Sequence, residues 1–198
     1  MKQFFILVFL FISSLIVHAQ NQNGLILSGG NGTSRDVKIN PGYLDNSKLA
    51  GKFNAAIGYR FRIQSKNKSF FYDIDANVGM INFHYGQKYY LNPYPDPNAP
   101  RQFETTVRNF YASLAGSFNY KIFKSFHAGI GIEPSLYYLD GTSAEYKYDI
   151  PLTAKIGYNL KFAEIGLAYK LGFTDQVNDR YFSSGKMNLW QLSLFIPF

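Results

Sequence analysis

Hydrophobic and polar residues alternate along eight stretches of the chain. In the last stretch Trp190 and Leu192 share one face, and Gln191 occupies the other. A period of two places successive side chains on opposite faces of an extended strand, so each stretch predicts a β-strand. The first stretch is the weakest, because residues 25–27 (Leu-Ile-Leu) do not alternate. The predicted strands cover residues 22–30, 51–64, 69–84, 104–121, 125–139, 150–160, 163–174 and 187–198.

The connections between these strands alternate between short and long. The short ones lie near residues 65–68, 122–124 and 161–162. The long, polar ones lie near residues 31–50, 85–103, 140–149 and 175–186. Alternation within the strands also fits a soluble sandwich or a lipocalin-like barrel. Short turns at one end and long loops at the other are typical of a transmembrane barrel, with the short turns on the periplasmic side.

The two faces of the predicted strands are inverted relative to a soluble protein. One face carries large apolar groups, whereas the other carries small, polar and charged residues. A soluble core does not accommodate such charges, but the lumen of a membrane barrel does, while the apolar face meets lipid. The predicted lumen charges are Arg60, Arg62, Asp73, Asp75, Glu133, Lys155, Glu164 and Lys170. The pattern therefore predicts an all-β, eight-stranded, antiparallel up-and-down transmembrane β-barrel.

The N-terminal residues predict a secretory signal peptide. Lys2 is followed by an apolar stretch from Phe4 to Val17, and then by His18 and Ala19. A cationic start, an apolar segment and a small residue at the cut are typical of such a peptide. We expect residues 1–19 to be removed and residues 20–198 to form the barrel domain. Intact mass of the protein from outer membranes should correspond to a start at Gln20, and a mass that retains residues 1–19 would contradict this.

Composition and charge narrow the environment further. The chain contains 16 Tyr, 19 Phe and 17 Gly but a single Trp and no Cys, which favours strands and excludes disulfides. Its formal net charge is +7. Export to the envelope argues against nucleic acid as the partner, and the phosphates of lipid A at the outer surface are the anions expected instead. The alternative is that the excess charge only keeps the loops solvated.

The signal peptide, the eight strands and the final strand together resemble the small outer-membrane β-barrel domain proteins of Gram-negative bacteria. The end of the last strand looks like the insertion signal that the outer-membrane assembly machinery reads. Its alternate residues are Trp190, Leu192, Leu194, Ile196 and Phe198. Pro197 departs from that pattern, although its missing N–H is tolerable near a strand terminus. The resemblance implies insertion in the outer membrane, with lipid and lipopolysaccharide as neighbours.

The lumen charges number four of each sign. In a hairpin closed near residues 65–68, Arg60 and Arg62 fall opposite Asp75 and Asp73. Buried charges need partners, and the interior of an eight-stranded barrel is filled by side chains, so we expect a salt-bridged plug. A proton or ion relay is the alternative. A porin is disfavoured, because eight strands leave no aqueous channel.

Candidate catalytic chemistry is sparse. Outer-membrane hydrolases need a base such as His, oriented by a carboxylate and paired with a nucleophile. Only His84 and His127 remain after the predicted cleavage, and no motif ties Ser or an acid to either. No metal-ligand spacing and no phosphate-binding loop is present in the sequence. We therefore expect no enzyme activity and no cofactor.

The loop at residues 85–103 is the most distinctive of the long connections. It combines four prolines with Tyr85, Tyr89, Tyr90 and Tyr94. Proline restricts the loop and tyrosine supplies amphipathic contact area, which favours binding of an extracellular ligand or an envelope protein. A stiff loop without a partner is the alternative. Two functions remain open: envelope structure or binding through the outer loops, and a barrel subunit of a transport or secretion assembly.

Overall fold

The computed structural model describes residues 22–39, 48–88, 102–139, 145–176 and 182–198. They form ten strands: β1 (Gln22–Ile39), β2 (Lys48–Gln64), β3 (Phe70–Lys88), β4 (Gln102–Lys121), β5 (Phe126–Ile132), β6 (Ser135–Leu139), β7 (Glu145–Asp149), β8 (Leu152–Leu160), β9 (Ala163–Leu171) and β10 (Phe182–Pro197). The predicted signal peptide, residues 1–19, lies outside the described residues. Within the described residues, no helix has the length and hydrophobicity needed to span a bilayer.

The strands close into a ring in which every neighbour is antiparallel. Following the hydrogen-bonded pairs gives the order β1, β2, β3, β4, β5, β8, β9, β10 and back to β1. β6 continues β5 along β4, and β7 pairs with β6, so these short strands extend the fifth and sixth strands of the barrel. The predicted eight-stranded up-and-down barrel is therefore confirmed.

Two prolines interrupt the barrel side by side. Pro134 separates β5 from β6, and Pro151 separates β7 from β8. Proline has no N–H for the ladder, which breaks the pairing at both positions. The backbone around the breaks still finds partners, because Glu133 N donates to Pro151 O and Leu114 N donates to Pro134 O, both at 3.0 Å. The ring thus stays closed across the interruption.

Asp149 replaces a missing stretch of ladder beside Pro151. Its Oδ1 accepts hydrogen bonds from the backbone N–H groups of Ile150, Phe173 and Thr174 at 2.9, 3.1 and 3.0 Å. One buried carboxylate oxygen thereby satisfies three donors at the point where β9 loses its strand partner. This residue lay inside a predicted outer loop, so its structural role was not anticipated.

Most strands are longer than predicted, and always at the end with long connections. β1 runs to Ile39 rather than to residue 30, β3 runs to Lys88, and β10 begins at Phe182 rather than at residue 187. A tilted strand of about 9–11 residues crosses a bilayer. The additional residues therefore carry the barrel wall beyond the hydrocarbon layer on the outer side. The irregular first stretch is also resolved, because Ile26 points inward and is buried while Leu25 and Leu27 are exposed.

The outer surface of the barrel wall is apolar. Large hydrophobic side chains that point outward remain substantially exposed on every side of the ring, including Leu27, Ile57, Val78, Leu114 and Ile156. A water-soluble barrel would leave this surface unfavourably hydrated, whereas lipid chains cover it. The inward face is instead rich in polar residues over the same height, which is the inversion that the sequence pattern predicts.

Candidate functional site

The half of the lumen nearer the short turns holds two side-by-side arginine–aspartate pairs. Arg60 faces Asp75 across the β2–β3 ladder, and Arg62 faces Asp73. Arg60 donates from Nε and Nη2 to the two carboxylate oxygens of Asp75 at 2.7 and 2.8 Å. Arg62 binds Asp73 in the same way at 2.7 and 3.1 Å. These bidentate pairs fix both planar guanidinium groups against the barrel wall.

Glu164 and Lys155 join these pairs across the bore. Glu164, on β9, accepts from Nη1 of Arg60 at 3.0 Å and from Nη1 of Arg62 at 2.5 Å. Lys155, on β8, donates from Nζ to Oδ2 of Asp73 at 2.7 Å. Because β8 and β9 lie on the far side of the ring from β2, the contacts span the lumen. We call this balanced group the charged level, and it comprises Arg60, Arg62, Asp73, Asp75, Lys155 and Glu164.

Aromatic rings pack against the charged level. The Arg62 guanidinium lies over the ring of Phe71 at 4.3 Å and over that of Phe195 at 5.1 Å. Nε2 of His127 lies 3.5 Å from Glu164 Oε1, and its ring packs edge-on against Phe71. A Cβ at Gly157 would collide with the His127 ring, so glycine is required there. The shell excludes water from one side of each arginine and strengthens the ion pairs.

A second ion pair lies nearer the outer end of the lumen, between β9 and the break that separates β5 from β6. Nζ of Lys170 is 2.6 Å from Oε2 of Glu133, whose Oε1 also accepts from Ser113 Oγ at 2.8 Å. Beside it, Gln191 donates to Asn54 Oδ1 at 2.7 Å. The structure therefore divides the eight predicted lumen charges into a group of six and a separate pair. Sequence reasoning had treated them as a single network.

The outer part of the interior is apolar, in contrast to the prediction of long polar loops at that end. The buried side chains that meet there, called the apolar level, are Ile81, Phe83, Tyr111, Tyr137, Leu139, Phe182, Met187 and Leu189. Phe182 is fully buried although it lies within the predicted loop 175–186. Gly79 gives the Tyr111 ring its room, since a Cβ there would collide with it. On β3 the outward face becomes polar at Asn82 and His84, beside the inward Ile81 and Phe83, so water meets the wall at this height and an apolar interior is favoured.

The remaining predicted site residues are placed as follows. The five residues of the predicted assembly signal all point outward and are exposed. Phe198 N donates to Asn23 O, and its ring packs against Tyr59. His84 lies on the outward face with Nδ1 at 3.4 Å from Thr106 Oγ1, far from the lumen charges. Among the described residues, no group of His, Cys, Asp and Glu is arranged to hold a metal ion.

The predicted binding loop is shorter than the sequence suggests, because strand residues occupy both of its ends. Tyr85 belongs to β3, opposite Thr105 of β4, because those strands reach Lys88 and start at Gln102. Tyr89, Tyr90 and Tyr94 lie outside the described residues. Binding by this loop therefore stays a prediction of the sequence.

Comparisons with known proteins found no matching family model and no matching curated protein. Among solved structures, the chain is similar to Ail, the attachment invasion locus protein of Yersinia pestis, in complex with the heparin analogue sucrose octasulfate, with 13% identity, 90% of this chain and 99% of that chain covered, and a TM-score of 0.44. The outer membrane protein OprG from Pseudomonas aeruginosa is 9% identical, with 89% of this chain and 91% of that chain covered and a TM-score of 0.43. Neisserial surface protein A is 12% identical, with 89% of this chain and 97% of that chain covered and a TM-score of 0.40.

The architecture of the chain itself assigns its class. The ring of strands is closed, its outside is apolar, its inside is charged at the same height, and the described turns at one end are short. A bilayer admits strands only as a closed barrel, since an open edge would leave backbone groups unpaired in lipid. The chain therefore has the fold of a small eight-stranded transmembrane β-barrel.

Proposed function

We propose that the protein is a non-enzymatic outer-membrane barrel with a lumen closed to ions, which serves envelope structure or binds a partner through its outer end. The observation that carries this proposal is the filling of the interior at two heights. The charged level crosses the bore between β2–β3 and β8–β9, and the apolar level occupies the outer part. The cavity that the charged level lines together with Glu133 and Lys170 measures about 50 Å³, which is room for a few water molecules and not for a hydrated path.

The contacts of the lumen histidine support the non-enzymatic part of the proposal. A base in a hydrolase needs a carboxylate that is available to orient it. The carboxylate next to His127 is Glu164, which already accepts from Arg60 and Arg62. Glu164 is thus committed to charge balance, and His127 is best explained as packing against Phe71.

Conductance measurements test the closed lumen. We expect the refolded protein to give no steady single-channel current in planar bilayers, because either level alone obstructs the bore. The variant Phe83→Ala, which thins only the apolar level, should also be silent, since the ion pairs below it are unchanged. A large, stable current from the parent protein would contradict the proposal and would favour a channel.

A further inference from the structure

The short turns at the periplasmic end carry an unbalanced positive charge. Residues 65–69, 122–125 and 161–162 form these turns, and no Asp or Glu lies within them. The carboxylates nearest in sequence, Asp73 and Glu164, are buried and paired with lumen arginines. The lysines in or flanking the turns are Lys66, Lys68, Lys121, Lys124 and Lys161. The sequence predicts contacts with anions at the outer surface. The lysines of the short turns form a second positive region, at the opposite end of the barrel.

Exposed aromatic residues accompany two of these turns. Phe123 is 71% exposed and lies next to Lys124, while Phe162 is 76% exposed and lies next to Lys161. The turn at residues 65–69 has no such residue, since it reads Ser-Lys-Asn-Lys-Ser. An exposed phenyl ring is unfavourable in water and favourable at a lipid interface. The pairing of a lysine with a phenylalanine therefore distinguishes these two turns from the third.

The two aromatic turns are neighbours in space. They belong to the β4–β5 and β8–β9 hairpins, and β5 pairs directly with β8. Asn159 N donates to Ser125 O at 2.7 Å, which ties the ends of the hairpins together. Lys124 and Lys161 line one open polar recess of about 230 Å³ at the mouth of the lumen, together with Arg62, Glu164 and Phe195. The two lysines therefore flank the same opening at the rim of the barrel.

A groove on the lipid-facing wall is formed by the same hairpins. Ala128 and Ala154 provide the low part of its floor, between Ile130 and Ile156, and its volume is about 720 Å³. Phe118 and Tyr120 line it on β4, and Tyr169 and Trp190 line it on β9 and β10. The small residues lower the surface between tall aromatic flanks. Such a concave apolar strip can accommodate a hydrocarbon chain along the barrel wall.

We propose that this side of the barrel binds an anionic phospholipid of the periplasmic leaflet. Its phosphate lies at Lys124 and Lys161, and an acyl chain lies in the groove of the same hairpins. A soluble polyanion would satisfy the lysines but leave Phe123, Phe162 and the groove in contact with water. A phospholipid satisfies all three features, and each lysine near an anionic headgroup contributes on the order of fivefold in affinity.

The single tryptophan of the chain provides the readout. Trp190 lines the groove, so a brominated acyl chain in the groove quenches its fluorescence. The full barrel is placed in bilayers of unlabelled phosphatidylcholine that contain a minor fraction of either brominated phosphatidylglycerol or brominated phosphatidylcholine. We expect stronger quenching by phosphatidylglycerol at equal fraction. Equal quenching by the two lipids would overturn the proposal.

Two matched double variants separate a site from general attraction. Lys124→Gln with Lys161→Gln should reduce the preference for phosphatidylglycerol by about 25-fold. Lys66→Gln with Lys68→Gln removes the same charge from the turn without phenylalanine and should keep the preference. A preference that survives the first pair, or falls equally with both pairs, would overturn the site. Retarded gel mobility on heating verifies that each variant is a folded barrel.

Discussion

The substitution Asp73→Ala is expected to lower the free energy of unfolding by about 3–5 kcal/mol. Asp73 is 1% exposed and lies within salt-bridge distance of three cations: Arg62 at 2.7 Å, Lys155 at 2.7 Å and Arg60 at 3.7 Å. Its removal leaves an excess positive charge in a confined interior. Urea unfolding of the barrel in detergent micelles, followed by the change in gel mobility, measures the loss.

A charge at the barrel surface provides the matched control. Asp36 also lies near two cations, with Arg35 at 3.6 Å and Lys186 at 3.3 Å, but its side chain is 55% exposed. Solvent screens such pairs, so Asp36→Asn, which removes the charge and tolerates the left-handed backbone at φ 53°, should cost less than about 1 kcal/mol. Similar losses from both variants would show that the lumen charges are as well solvated as the surface charges.

A double-mutant cycle assigns the loss to the ion pairs. Lys155→Met removes one of the cations that Asp73→Ala leaves without a partner, so the double variant should recover part of the stability. We expect a coupling energy of about 0.5–3 kcal/mol between the two positions. Strictly additive losses would contradict the charged level as a cooperative unit.

Phe182→Ala is expected to be the second large effect, with a loss of about 3–5 kcal/mol. Phe182 has no exposed surface and packs in the apolar level with residues of β3, β4, β6 and β10. Truncation removes most of a phenyl ring and leaves a cavity that rigid strands cannot close. Urea unfolding measures the loss, and proteolysis from outside intact cells should become faster because the outer wall loosens.

Phe123→Ala is the matched control for this variant. The same ring is deleted, but Phe123 is largely exposed at a periplasmic turn. We expect a change of less than about 1 kcal/mol. Equal effects at the two positions would show that the outer part of the barrel has no packed core.

Along β3 the apolar and polar faces exchange sides, and this exchange is visible in the sequence although the strand prediction did not draw on it. In β3, Asp73 and Asp75 point inward near the short turn, whereas Ile81 and Phe83 point inward near the outer end of the strand. The outward positions change in the opposite sense, from Tyr72 and other apolar residues to the polar Asn82 and His84. A strand that leaves lipid and enters water should show such a change, because the solvent on its outer face changes. The prediction of loops from residue 85 onward rested on polarity alone.

The breaks in the fifth and sixth strands depended on proline chemistry and on position. Pro134 lies within one predicted strand, and Pro151 lies near the start of the next. From the sequence alone, each proline could also mark an edge strand, where its missing N–H is tolerated. Only the three-dimensional register places them beside each other, with Glu133 N donating to Pro151 O. That mutual arrangement lets two interruptions share one gap in the ladder.

The sequence by itself determined the number of strands, their antiparallel order and the facing of Arg60 with Asp75 and Arg62 with Asp73. These features follow from local periodicity and from the length of a tight turn, which one hairpin is sufficient to specify. Only the tertiary structure decided that Glu164 and Lys155 cross the bore, and that Lys124 and Lys161 meet at one recess. Ring closure and the pairing of separate hairpins bring these residues together, although Arg60 and Glu164 are 104 positions apart in the chain, and no local pattern encodes such contacts.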